Sequence, residues 1–357
     1  SLYYMDKLGH LVEKIGDRSQ TALYNINRGR TYYHFKNAAK ALACYDRAKA
    51  IIEKYDLENM RPFLEESYAD TYSMMGDYEG TKKVYKKMLN EGFYEDSPYF
   101  QALLYAKYAD QFHLTGDLSR SIKYYDKALE LTCKNNELKI FKQLEIMIRS
   151  NQAYTKVKKR QFPEARKMFI NCLEIAKDRG FKDQIFSNLC YILICDCESG
   201  NLKDSEKYLK DTAAIMKNVN KPALEYKYLV VKGEICRIEE DYLKAEQYFL
   251  RSLSVSKKAD KVKTGFFEAS IKLLDFYSTS GQYSKAVPIA DDMIKKATEM
   301  NFTVYSFKAG LLKNKVKYFY NRDIPGYLKY LNKLRETARN EEKNLFVVNE
   351  IRRLSGS

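Results

Sequence analysis

The sequence predicts an all-α fold, a stack of antiparallel helix pairs in which one short unit recurs along the chain. Three observations lead there. A turn-and-helix frame appears eight times at intervals of 40 to 44 residues. Helix breakers are scarce, with 15 Gly and 6 Pro in 357 residues, while Tyr (31) and Phe (18) are plentiful, a balance that suits helices joined by short turns. No segment reads as a strand.

The frame is clearest in GDYEGTKKVYKKM (76–88) and GDLSRSIKYYDKA (116–128). It recurs at KNAAKALACYDRA (36–48), RQFPEARKMFINC (160–172), GNLKDSEKYLKDT (200–212), EDYLKAEQYFLRS (240–252), GQYSKAVPIADDM (281–293) and RDIPGYLKYLNKL (322–334). Its third residue falls at Ala38, Tyr78, Leu118, Phe162, Leu202, Tyr242, Tyr283 and Ile324. Each choice has a physical reason. Gly, Asn or Asp at the turn closes one helix and caps the next. A small residue three places on (Ala41, Ser121, Ala165, Ser205, Ala245, Ala286) lets the second helix approach the first. A large one seven places on (Tyr45, Tyr85, Tyr125, Phe169, Leu209, Phe249) lies one turn further along the same apolar stripe.

Taken in order, residues 1–17 are expected to be the second helix of an incomplete repeat, one 40-residue step before Ala38. Residues 18–335 hold eight helix pairs. The last segment, 326–357, reads as one long charged helix with Leu331, Leu334, Ala338, Leu345, Val348 and Leu354 on a loose stripe, either a cap or a connector. Both ends read as trimmed, so a longer protein is expected around this segment.

The repeat resembles the tetratricopeptide repeat (TPR) family, which places a small residue and then an aromatic near the end of the first helix. Ala69/Tyr72, Ala109/Phe112, Gly29/Tyr32 and Gly233/Cys236 occupy those places. The resemblance covers about residues 20–335. The unit is nearer 40 residues than the family's 34 and lacks the Pro that ends the second helix, as in the long-repeat variants of bacterial TPR-containing regulators. What the resemblance implies is a right-handed α-α superhelix that binds partners on its concave face.

Composition narrows the functions. The net charge is +15, but Lys and Arg are mixed with Glu and Asp, and the densest clusters, 82–87 and 156–160, lack the Gly and aromatic spacing of an RNA-binding motif. Nucleic acid is therefore disfavoured as a partner of this segment, and a basic solenoid binding nucleic acid is kept as an alternative. No run of 18 apolar residues offers a membrane span, although a neighbouring one outside the segment is compatible with it. The seven Cys residues lack disulfide or zinc spacing, and Cys195 and Cys197 project roughly 200° apart on a helix. They are expected to be buried free thiols, which favours a cytoplasmic location over a periplasmic one. His10, His34 and His113 are scattered, and neither HExxH, GxSxG nor a phosphate loop occurs. The reading is of a non-enzyme with no cofactor and no metal.

The resemblance projects the concave lining onto the first helix of each pair. It selects Asn27, Arg30, Tyr33, His34, Asp70, Lys107, Asp110, His113, Asn151, Tyr154, Tyr191, Glu234, Arg237, Lys272 and Asp275. Tyr, Asn, His, Arg and Asp together suit a protein or peptide held by backbone hydrogen bonds and aromatic anchors. The carboxylate clamp of chaperone-binding TPR domains does not recur, because Ile26 and Ser67 stand where it needs polar or basic groups. The expected function is a peptide-binding scaffold, the sensory or interaction region of a larger bacterial regulator. A cytosolic peptide-pheromone receptor is the related alternative.

Overall fold

A computed structural model describes residues 2–134, 138–203, 205–216, 222–258 and 264–355. They form eighteen α-helices and one 3-10 turn, with no strand among the described residues. The chain divides into two compact units, 1–114 and 115–357. In the first lie α1 (Leu2–Ile15), α2 (Arg18–His34), α3 (Ala38–Lys54), the turn Glu58–Met60, α4 (Arg61–Met75), α5 (Tyr78–Asn90) and α6 (Pro98–Thr115), which ends at the boundary. The second holds α7 (Leu118–Lys134), α8 (Lys139–Lys158), α9 (Phe162–Arg179), α10 (Lys182–Ser199), α11 (Ser205–Met216) and α12 (Pro222–Ile238). It continues through α13 (Tyr242–Lys258), α14 (Gly265–Thr279), α15 (Tyr283–Glu299), α16 (Thr303–Tyr320), α17 (Ile324–Thr337) and α18 (Glu341–Ser355).

The recurring frame marks the turn inside each pair. Its third residue opens α3, α5, α7, α9, α13, α15 and α17, and Leu202 lies just ahead of α11. Its first residue is left-handed in all eight copies: Lys36 (φ 57°), Gly76 (78°), Gly116 (78°), Arg160 (60°), Gly200 (69°), Glu240 (63°), Gly281 (68°) and Arg322 (56°). This is the conformation that ends a helix by turning the next amide back onto it. Asp77 N donates to Tyr72 O at 2.9 Å, Asp241 N to Cys236 O at 2.8 Å and Asp323 N to Tyr318 O at 2.9 Å. The second residue then caps the following helix. Asn37 accepts from Lys40 N, Asp77 from Gly80 N, Asp117 from Arg120 N, Asp241 from Lys244 N and Asp323 from Gly326 N, all at 2.8 to 3.2 Å.

Packing follows the small-then-large rule. Ala41, Ser121, Ala165, Ser205, Ala245 and Ala286 are buried, as are Tyr45, Tyr85, Tyr125, Phe169 and Phe249, while Leu209 is half-buried. Each buried aromatic contributes about 2–3 kcal/mol of transfer free energy. The fit is close where the preceding helix offers no side chain. A Cβ at Gly29 would stand 2.2 Å from the Tyr45 ring, and one at Gly233 2.6 Å from the Phe249 ring.

Two details depart from the sequence reading. The single long helix expected over 326–354 is two helices, with the break at 338–340. Asn340 is the cause: its Oδ1 accepts from Lys343 N at 3.2 Å, starting α18 afresh, and Glu341 and Glu342 follow in the first turn, where carboxylates meet the positive helix end. Of the seven free cysteines, Cys133 is exposed while the other six are buried; its thiol, at the end of α7, lies 3.4 Å from a nitrogen of Arg149 on α8.

Candidate functional site

Eleven of the fifteen projected lining residues gather into one cluster in each unit. In the first, α2, α4 and α6 bring together Arg30, Tyr33, Asp70, Lys107 and Asp110. Lys107 Nζ lies 3.1 Å from Glu66 and 4.0 Å from Asp70, and Tyr85 donates to Asp70 at 3.5 Å. Burial raises the Asp70 carboxyl, with Lys107 opposing and Glu66 adding to the rise. Burial also raises the Tyr33 phenol, and Asp70 reinforces it. Asn27 and His34 are exposed on α2, and the His34 ring meets Tyr33 edge-on at 5.3 Å. His113 is half-buried on α6.

The second cluster is larger and deeper. Helices α8, α10, α12, α14 and α16 turn their side chains toward a cavity of about 160 Å³ lined by Tyr154, Tyr191, Tyr226, Lys227, Glu268 and Tyr305, with aliphatic floors at Ile194, Val230 and Ile271. Glu268 is its polar centre, accepting from Tyr154 at 2.7 Å and from Tyr226 at 3.1 Å. Opposite, Lys227 donates to the Tyr191 hydroxyl at 2.8 Å with its ammonium 4.5 Å from that ring's centroid. Burial first, and then the Glu268 charge, hold the Tyr154 and Tyr226 phenols far above their usual range. Both therefore serve as hydrogen-bond donors.

Beside it a second cavity of about 150 Å³ shares Val157, Lys158, Glu198, Ile271, Lys272 and Lys308 with the first. Ion pairs bridge its walls. Lys272 lies 2.5 Å from Glu198 and 3.1 Å from Glu234, and Arg160 lies 3.4 Å from Glu198. Burial pushes the Glu198 carboxyl up, but Lys272, Arg160 and Arg353 together outweigh it and bring it down to about 2. Arg237 lies 2.8 Å from Glu234. Asp275 lies 3.3 Å from Lys315 and 3.2 Å from Arg353 of α18. Asn151 is half-buried on α8, and its carbonyl accepts the Thr155 hydroxyl at 3.0 Å.

Several groups here escaped the sequence reading: Lys158, Glu198, Lys227, Glu268, Lys308 and Lys315, with Glu342 and Glu350 of α18. A seven-residue interval could have found most of them. Tyr191 and Glu198, Lys227 and Glu234, Glu268 and Asp275, and Lys308 and Lys315 each stand two helical turns apart on one face. Nothing in that interval signals α18.

Most cations of the two dense basic stretches are paired, while Lys83 and Lys86 are exposed. Lys82 and Lys87 pair with Glu79 and Glu65 at 2.5 and 2.6 Å. Lys156, Lys158 and Lys159 pair with Glu164, Glu342 and Glu341 at 2.7, 3.4 and 2.9 Å. Among the described residues no three His, Cys, Asp or Glu side chains group as metal ligands, and no helix is long and apolar enough to cross a membrane. Burial pushes the Cys195 and Cys197 thiols up to about 12, away from the thiolate a metal would need.

No family model matches the chain, and no curated protein does. Solved structures match its fold. NprR in complex with its cognate peptide NprX is 15% identical with a TM-score of 0.60, over 90% of this chain and 97% of that one. The apo form of RapI is 13% identical with a TM-score of 0.59, over 84% and 87%. A Rap protein complexed with Competence and Sporulation Factor is 15% identical with a TM-score of 0.55, over 95% and 98%. At these identities the likeness establishes the fold: this is a TPR-like helical-repeat protein, an α-solenoid of antiparallel helix pairs.

Proposed function

We propose that the chain is a non-catalytic peptide-binding scaffold of the long-repeat TPR kind, serving as the recognition region of a bacterial regulator. The partition that goes with this reading keeps 18–335 as eight helix pairs and 1–17 as the second helix of an incomplete one. One observation carries it. Five helices aim aromatic, cationic and anionic side chains into one concave cavity around Glu268 and Lys227, the mixture of stacking surface and directed polar groups that holds a peptide. The fold likeness to NprR, whose structure holds its cognate peptide, supports the same ligand class and the related reading as a peptide-pheromone receptor. The pairing of most cations in the basic stretches favours a protein or peptide over nucleic acid, which needs clustered free cations.

Selection of binders to the full chain from a random-peptide library tests this. Selected peptides are expected to lose at least about tenfold in affinity with Glu268→Gln or Tyr191→Phe, a loss typical of one buried directed contact. They should keep their affinity with Lys244→Ala on α13, whose side chain is exposed. Peptides that bind all three variants equally would place recognition elsewhere, and a library that yields no binder would sink the reading.

A further inference from the structure

The polar contacts of helix α18 run to several other helices of its unit at once. Its first turn is tied to the start of α7. Asn340 Nδ2 donates to Thr115 O at 2.6 Å, Glu342 N donates to Gly116 O at 3.1 Å, and Ser119 N donates to Glu341 at 2.8 Å. From there it runs past the end of α8 and along α16. The Glu342 carboxylate enters between two ammonium groups, Lys308 at 2.5 Å and Lys158 at 3.4 Å. Two turns on, Glu350 meets Lys315 at 2.9 Å. Both glutamates are 2% exposed. The apolar side, with Phe346, Val347, Ile351 and Leu354, packs with Leu311, Tyr327 and Leu331 of α16 and α17.

These contacts show what the cavity wall demands of whatever covers it. Lys158 and Lys308 line both cavities, and Glu342 is the carboxylate they share. Burial lowers the Lys158 ammonium, Glu342 is the chief group holding it charged, and Lys308 works against it. Removing α18 alone would take from Lys158 and Lys308 the carboxylate they share and leave Lys315 to Asp275. A replacement that shuts water out from these ammonium groups must bring carboxylates of its own, because an uncompensated buried charge is strongly unfavourable. On α18 those carboxylates are eight residues apart, about 12 Å along a helix.

We propose that α18 is a built-in occupant of this wall, and that the external ligand is an acidic helical peptide whose carboxylates replace Glu342 and Glu350 on Lys158, Lys308 and Lys315. Binding and release of α18 are then one exchange. This rests on the peptide-binding reading of the cavity and names the ligand's chemistry and the step that admits it.

The probe is a fluorescein-labelled synthetic peptide of residues 339–355, offered to the full chain and read by anisotropy. A chain carrying Glu342→Gln and Glu350→Gln is expected to bind it at least tenfold more tightly than the unsubstituted chain. The same variant should prefer it at least tenfold over a peptide with both glutamates changed to Gln. Equal affinity of the two chains, or of the two peptides, overturns the proposal. Hydrogen exchange on the unsubstituted chain is the check that needs no variant: excess peptide should speed exchange at 344–355, and unchanged exchange with peptide bound also overturns it. If the probe binds in this way but no library peptide competes with it, the α18 exchange stands and the peptide-binding function fails. If library peptides bind both chains equally without disturbing α18, the function stands and the exchange fails.

Discussion

The two units are built from one repeat but finish their polar clusters differently. In the first, the Lys107, Glu66 and Asp70 side chains keep 26%, 23% and 40% of their exposure, and the nearest pair stands at 3.1 Å. In the second, Lys315 and Glu350 keep 4% and 3%, Lys308 and Glu342 keep 11% and 2%, and side chains from helices far apart in sequence meet, as Tyr154 does Glu268. The same register of polar residues is therefore a wetted patch in one place and a dry network in the other. Charge pairs are worth little where water competes and a great deal where it does not.

Removing one cation from each cluster tests that contrast most severely. Lys272→Met removes the ammonium shared by Glu198 and Glu234, leaves them to Arg160 and Arg237, and should cost about 2 kcal/mol, the usual loss for a hydrogen bond to a charged group. Lys107→Met removes a partner of Glu66 and Asp70 where solvent can replace it, and should cost under about 1 kcal/mol. Urea denaturation of the full chain measures both, with each unit followed separately by hydrogen exchange. Equal losses would erase the distinction between the two faces.

Acid should separate the units with opposite signs. Glu198 titrates at about 2, against 4.5 for an ordinary glutamate. Its contribution is thus complete above pH 4.5 and is lost as the pH falls toward 2, on the order of 3 kcal/mol in all. Asp70 is raised instead, so in the folded first unit its charge is a burden that protonation relieves as the pH falls toward its ordinary value of 3.8. Between pH 5 and 3, exchange at amides of α10 and α14 is expected to quicken before exchange at amides of α4. The reverse order would contradict the assignment of the buried network to the second unit.

How much of this the sequence could show depends on which interactions are local. The helix pairs were legible because closing turn, cap and small-large stripe all lie within one frame of 13 residues, and the physics that selects them acts within two or three helical turns. The sequence register groups eleven of the proposed residues into the two clusters. What escaped was set by curvature. Nothing near Tyr154 announces that Glu268, 114 positions away, will accept its hydrogen bond. The same holds for α18: Asn340 followed by two glutamates does signal a helix start, but only folding shows which lysines those glutamates meet.

The smallest effect concerns the turns, where the units should behave alike. Four copies of the frame hold their left-handed residue with a full side chain, including Lys36 in the first unit and Arg322 in the second, at φ 57° and 56°. A side chain costs about 1–2 kcal/mol in that conformation, because Cβ crowds the following carbonyl. Glycine escapes the clash but loses more freedom on folding, which returns roughly half of the gain. Lys36→Gly and Arg322→Gly are thus each expected to stabilise the chain by about 0.5–1 kcal/mol, read as a small upward shift of the melting temperature. The two gains should match, since each turn closes the same way: Asn37 N donates to Tyr32 O at 3.0 Å and Asp323 N to Tyr318 O at 2.9 Å. A gain at one turn and a loss at the other would mean that the repeat is not a single structural unit, and that the contrast between the faces begins in the backbone rather than in the side chains that line them.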